Sequence, residues 1–153
     1  MRVLLTTILS LFLFSSIFIS CNKSSDGSKS TDNTSWTTKQ LGTSSYDYGR
    51  GVTTDSSDNI YLTGYTHGGL DGNTSSGKGD IFLLKYNSSG TKQWTKLLGT
   101  SSDDRGNGVT TDSSDNIYVT GSTDGDLDGN TNSGNYVTYD IFLVKYSSDG
   151  VKQ

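Results

Sequence analysis

From Trp36 onward the apolar side chains fall in short runs separated by clusters of Gly, Ser, Asn and Asp. The runs WTTKQL at Trp36, GVTTD at Gly51, IYLTGYT at Ile60 and DIFLLKY at Asp80 have the length and the β-branched and aromatic content of strands. Between the second and third, the link SSDN places Asp and Asn where a type I or bulged turn needs them, which predicts a hairpin. A second short turn, NSSG, follows the DIFLLKY run and leads into TKQW. Within IFLLKY, Ile81 and Leu83 point to one face while Phe82, Leu84 and Tyr86 point to the other. A strand apolar on both faces has to be covered on both.

The same runs then return. Gly51 to Tyr61, GVTTDSSDNIY, recurs unchanged from Gly108 to Tyr118; LGTSS at Leu41 returns at Leu98, and LDGN at Leu70 returns at Leu127. DIFLLKYNSSGTKQ at Asp80 corresponds to DIFLVKYSSDGVKQ at Asp140, after extra residues between Ser133 and Asp140 that belong in a loop. A long internal repeat of this kind signals stacked or radially arranged units. A blade of a β-propeller, a four-stranded sheet sandwiched between two neighbours, satisfies a strand that is apolar on both sides. A two-layer sandwich leaves one side polar.

Composition sharpens this reading. Ala and Glu, two of the strongest helix formers, are absent, and all sixteen acidic residues are Asp. Proline is absent as well, so the turns rest on Gly, Asn and Asp. The fold class is therefore all-β: two four-stranded antiparallel blades of an incomplete propeller, following a signal peptide. Leu, Ile, Val and Phe supply only 21 of the 132 residues from Asn22 to Gln153, which predicts marginal stability. The net charge of −4 and the scattered Lys and Arg offer no footprint for nucleic acid.

The N-terminus reads as an export signal. Met1 and Arg2 precede an apolar run that ends at Cys21, the single cysteine of the chain. Phe18-Ile19-Ser20-Cys21 resembles a lipobox, in which the cysteine is lipidated and becomes the mature N-terminus. Phe18 and Ile19 depart from the usual Leu and small residue of that motif. The stretch NKSSDGSKSTDNTS then reads as a flexible tether with a reach of about 20 Å. The organisation read from the sequence is a lipoprotein signal peptide over 1–20, a tether over 21–35, and repeats over 36–93 and 94–153.

The residues of the repeat also carry a family resemblance. The order W-T-x-Q-L-G-T, D-x-G-x-G-V-x-x-D-S-S-x-N-I-Y-x-T-G, L-D-G-N, D-x-F-L-x-K-Y and G-T-K-x-W resembles the SBBP repeat, a bacterial β-propeller repeat. NSSGTKQW is also similar to the strand-ending G-x-x-x-W element of quinoprotein blades, which implies that Trp94 packs against the adjacent blade. The resemblance implies the fold and a setting at the cell surface or outside the cytoplasm; it implies no single activity.

Candidate chemistry is sparse. With no Glu, one His and one Cys, no catalytic residue is assigned and no cofactor is called for; His67 is read as a solvated loop residue. Asp124-Gly125-Asp126-Leu127-Asp128-Gly129-Asn130 has the D-x-D-x-D-G opening of a calcium loop. Asn135 stands where the bidentate Glu is required, and the first copy offers only Asp71 and Asn73. No metal site is assigned, with weak calcium binding at Asp124–Asp128 left as an alternative to a structural Asp-Gly loop. The acidic DSSDN elements at Asp55 and Asp112 are read as turns whose carboxylates satisfy the local amides. Tyr46, Tyr48, Tyr136 and Tyr139 occupy loop positions that vary between copies; they read either as a sugar or protein contact surface or as covers for sheet edges.

The expected function is non-enzymatic binding of a protein or glycan ligand by an exported module. The module is held by the lipid on Cys21 at the bacterial outer membrane or cell surface. The alternative is a truncated or oligomer-dependent fragment of a larger propeller without independent activity; a hydrolase or other enzyme ranks last. Two blades leave outer faces uncovered, with Phe82, Leu84, Phe142 and Val144 as the expected exposed residues. Self-association or poor packing of the isolated pair follows from that.

Overall fold

The computed structural model describes residues 36–134 and 138–153. The signal segment, Cys21, the tether and Tyr136 lie outside the described residues. Among the described residues seven strands form: β1 (Asp47–Thr54), β2 (Ile60–Thr66), β3 (Asp80–Tyr86), β4 (Lys92–Leu98), β5 (Asp104–Thr111), β6 (Ile117–Thr123) and β7 (Asp140–Tyr146). They make one antiparallel sheet in the order β1-β2-β3-β4 and a second in the order β5-β6-β7. The all-β class and the incomplete-propeller architecture are those that the repeat predicts.

Each hairpin register follows from its turn. The Asp55 amide donates to Asn59 O at 3.0 Å and the Asp58 amide to Asp55 O at 3.1 Å, with Asp58 in the left-handed region at φ 59°. The second copy repeats this with Asp112, Asn116 and Asp115. Register then pairs Tyr61 with Lys85 and Leu62 with Leu84, and in the second sheet Tyr118 with Lys145 and Val119 with Val144. Equivalent residues of the two copies thus occupy equivalent lattice points.

The sheets do not begin where the sequence repeats begin. Residues 36–41 are not a strand. Their counterpart, the segment around Trp94, is β4, and it pairs with β3 as the last strand of the first sheet. The second sheet therefore has three strands where four were expected. Its fourth place holds only the antiparallel bridge between Tyr146 and Lys152. That bridge matches the pairing of Tyr86 with Lys92 in the first sheet.

The main core lies between the sheets. Tyr61, Ile81 and Leu83 from the first meet Ile117, Val119, Leu127, Val144 and Tyr146 from the second, with Trp94, Leu98, Val109 and Phe142 packed around them. Burying large side chains like these is worth about 1.5–3 kcal/mol each. A smaller cluster of Leu70, Phe82, Leu84 and Tyr86 sits on the other side of the first sheet, against Leu41, Ile60, Leu62 and Leu97.

This arrangement corrects the expected open faces. Val144 is buried and Phe142 half-buried, because their face of β7 turns inward onto the first sheet. Phe82 and Leu84 are also buried, on the side where Leu41 packs. The uncovered residues of β7 are Ile141, 91% exposed, and Leu143, 72% exposed, whereas their equivalents Ile81 and Leu83 are each 2% exposed. Alternation along a strand separates two faces; it does not say which neighbour each face meets.

Candidate binding surface

The acidic elements singled out in the sequence are occupied by the fold itself. Asp55 Oδ1 accepts from the Ser57 and Asn59 amides, both at 2.9 Å, and Oδ2 accepts from Asn59 Nδ2 and from the Tyr61 hydroxyl. Burial alone would raise the Asp55 pKa; these donors outweigh it and hold the carboxyl below its ordinary value. Asp112 is bonded in the same way by Ser114, Asn116 and Tyr118. The Asn116 side-chain bond does most to bring its pKa down, to about 2. The turns also meet across the blades, where the Ser56 amide and hydroxyl donate to Asp115 at 3.0 and 2.7 Å.

The three carboxylates of the Asp124–Asp128 loop go separate ways. Asp124 accepts from the Asp103 amide, Asp126 from the Asn132 amide, and Asp128 pairs with Lys152. Among the described residues no group of three or more Asp, Glu, His or Cys side chains gathers in a way that holds a metal ion. In the first copy Asp71 pairs with Lys92 and accepts from Thr95 Oγ1. The shared Leu-Asp-Gly turn latches its loop onto the outer-strand position of each sheet.

A different set of residues clusters across both blades, with Tyr46, Tyr48 and Arg50 exposed around a buried Tyr65 ring. Tyr48 and Tyr65, paired across β1 and β2, stack with ring centroids 4.7 Å apart. Tyr46 lies nearly parallel to Tyr48 at 6.3 Å. The Arg50 guanidinium sits over both Tyr48 and Tyr65, 5.7 and 5.5 Å from their centroids, and donates to the Tyr65 hydroxyl at 3.3 Å. From the second blade, Arg105 reaches Tyr65 at 5.5 Å and Tyr139 at 5.3 Å. His67 meets the edges of Tyr46 and Tyr65.

The charges on this surface are unequally satisfied. Arg105 is paired with Asp103, a contact that raises the Arg105 pKa against the effect of burial. The Tyr139 hydroxyl also donates to Asp103 at 3.2 Å. Burial and the Asp103 charge both raise the Tyr139 pKa. Among the described ion pairs Arg50 has none, and its side chain is exposed beside Tyr46 and Tyr48, which are exposed too.

Of the tyrosines marked in the sequence, Tyr46, Tyr48 and Tyr139 come together here. Tyr65, Arg50 and Arg105 were missed. A signal for them exists in the comparison of the two copies. Aligning Leu41–Asn73 with Leu98–Asn130 leaves seven differences: Tyr46/Asp103, Tyr48/Arg105, Arg50/Asn107, Leu62/Val119, Tyr65/Ser122, His67/Asp124 and Gly69/Asp126. Five of these seven, at 46, 48, 50, 65 and 67, are the residues in mutual contact on this surface. The second sheet keeps the same strand register without them, so the blade does not require a Tyr, Arg or His at these positions.

Repeated antiparallel sheets packed face to face, each able to take a further sheet on its open side, define an incomplete β-propeller. The family described as Beta-propeller repeat, SBBP, matches residues 37–71 and 93–128. The chain carries two SBBP repeats and is a β-propeller-repeat protein. No curated protein matches it.

Proposed function

We propose that this protein is a non-enzymatic binding module, exported and held by a lipid on Cys21 at the outer membrane or surface of a bacterial cell. The observation that carries the binding role is the exposed Tyr46–Tyr48–Arg50 surface, packed on the buried Tyr65 ring and extended by Arg105 and Tyr139 of the second blade. Stiff aromatic rings beside guanidinium groups are the side chains that recur where proteins hold ligands. The solitary cysteine after a signal-like core supports the anchor. The test is to probe the full chain in detergent against arrayed glycans and peptides, beside Tyr48→Ala and Arg50→Gln. Ligands lost in either variant, with its thermal transition unchanged, support the proposal. Retention of every ligand by both variants, or binding of none by the wild type, overturns it.

The open face of β7 favours a second reading, in which the two blades act only when flanked by further blades of the same kind. Ile141 and Leu143 occupy the places of Ile81 and Leu83, which are buried against a neighbouring sheet. On this reading the open face is a site for another repeat, from the same polypeptide or a second copy.

A further inference from the structure

We propose that the Tyr46–Tyr48–Arg50 surface, backed by the buried Tyr65 ring, binds an acidic sugar: a pyranose bearing one carboxylate, seated on the exposed tyrosine rings with its carboxylate at Arg50. The inference rests on reading this surface as the binding site and goes on to name its ligand class.

Three observations select that chemistry. First, Tyr46 and Tyr48 are both exposed and stack with their rings within 21° of parallel, which leaves an apolar aromatic platform with hydroxyl rims open to solvent on this stack. A pyranose has the matching shape, an apolar C–H face edged by hydroxyls, and aromatic side chains combine apolar area with a polar handle in the same way. Second, Arg50 supplies one cation with no carboxylate partner among the described ion pairs, already oriented by the Tyr48 and Tyr65 rings. A guanidinium takes a carboxylate through two parallel N–H···O bonds, which ties the ligand's charge to a fixed place beside the platform.

Third, the neighbouring charges limit how much negative charge the ligand carries. Arg105, the other arginine here, already holds Asp103, and Asp124 accepts from the Asp103 amide. A polyphosphate laid from Arg50 across to the Arg105 side of Tyr65 would approach those carboxylates, and like charges brought together are repelled. Arg50, outside the described ion pairs, fits one carboxylate per sugar ring better than the closely spaced charges of a nucleic-acid backbone. The second copy sharpens the point. Its equivalents of Tyr46, Tyr48, Arg50 and Tyr65 are Asp103, Arg105, Asn107 and Ser122, so only the first blade carries the platform.

The experiment is a calorimetric titration of the full chain in detergent with trigalacturonate, galactotriose and a ten-residue oligothymidylate. The two sugars differ at each ring by a carboxylate in place of a hydroxymethyl group. The expected result is binding of trigalacturonate about tenfold or more tighter than galactotriose, the discrimination a charge-assisted bond supplies. Arg50→Gln, a change at an exposed side chain, should reduce that ratio to near one, while Arg50→Lys restores part of it. Tyr48→Ala should weaken both sugars.

Equal affinity of the wild type for the two sugars, or acidic-sugar binding indifferent to Arg50→Gln, would overturn the acidic-sugar assignment and leave the binding-module reading standing. Tighter binding of the oligothymidylate than of trigalacturonate would overturn it in favour of a single-stranded nucleic acid. Absence of all three interactions would also sink the assignment; the arrayed ligands then decide the broader reading separately.

Discussion

The indole of Trp94, on β4 of the first sheet, lies against Gly150 in the turn after β7 of the second. A Cβ at Gly150 would stand 3.1 Å from Trp94 Cε2 and Cζ2, and the glycine has φ 76°. Trp36 meets Gly90 in the same manner, at 3.2 and 3.3 Å. Trp94 of the first sheet thus closes over the last turn of the second, as the resemblance to G-x-x-x-W elements implies. Lys85 adds a bond to Ser148 O in the same turn at 3.0 Å.

The first prediction tests that clasp. Trp94→Ala should lower stability by about 2 kcal/mol, less than the 3–5 of a fully buried aromatic because the ring is half-exposed. Gly150→Ala should cost about 1 kcal/mol or more, since alanine is strained at positive φ and its methyl group would press on the indole. Urea unfolding followed by circular dichroism measures both. Stabilities equal to wild type would show that the ring contact does not hold the blades.

Acid should act through the hairpin turns. Asp112 titrates at about 2 and Asp55 below its ordinary value, whereas an unfolded Asp titrates near 3.9. Their stabilising contribution is complete above the unfolded pKa and is lost as pH falls through the folded value. The melting temperature should therefore be flat with respect to these groups above about pH 5 and fall between about pH 4 and pH 2. Asp55→Ala should cost about 2 kcal/mol at neutral pH by leaving turn donors unpaired, and should shrink the acid limb. An acid limb unchanged in Asp55→Ala with Asp112→Ala would place the acid sensitivity elsewhere.

Equivalent residues on β3 and β7 should respond oppositely to charge. Ile141→Lys and Leu143→Lys alter exposed side chains and should change stability by no more than about 0.5 kcal/mol, while reducing any self-association seen by light scattering. Ile81→Lys places an ammonium in the core between the sheets and should abolish cooperative unfolding. Loss of cooperative unfolding in the β7 variants would mean that this face is covered within the folded chain.

For the proposed anchor, metabolic labelling with an alkyne palmitate analogue should mark the wild type and leave Cys21→Ala unmarked. Equal labelling of the two would remove Cys21 as the acyl site and with it the lipid tether.

Much of the fold was legible because the chain says the same thing twice. The unchanged run from Gly51 to Tyr61 and from Gly108 to Tyr118 fixed the period, and two-sided apolar IFLLKY required covered sheets. What alternation could not reveal was the partner of each face, which is why Phe142 and Val144 were expected outside and lie inward. Residues 36–41 have a strand-like composition, but a strand also needs a neighbour to bond with. Tyr46, Tyr48 and Tyr139 were visible as aromatics that vary between the copies, but Tyr48, read as a loop residue, lies on β1, because β1 starts four residues before the GVTTD run. All three of Tyr65, Arg50 and Arg105 lie on strands: Tyr65 escaped in a run read as scaffold, while Arg50 and Arg105 precede the GVTTD runs read as strands, Arg50 at the bulge between Gly49 and Gly51. The position-by-position difference between copies, rather than their agreement, points to these residues.

The offset between repeat and sheet has an evolutionary consequence. Because β4 is contributed by the segment that opens the second repeat, a unit cut at the tryptophan carries the last strand of one blade and the first three of the next. Gene duplication at that boundary inserts a cassette whose two ends are stitched in by backbone hydrogen bonds, not hung on a linker. Copy number can then rise or fall by whole units, and each internal junction is rebuilt with the same ladder and the same ring-on-glycine contact.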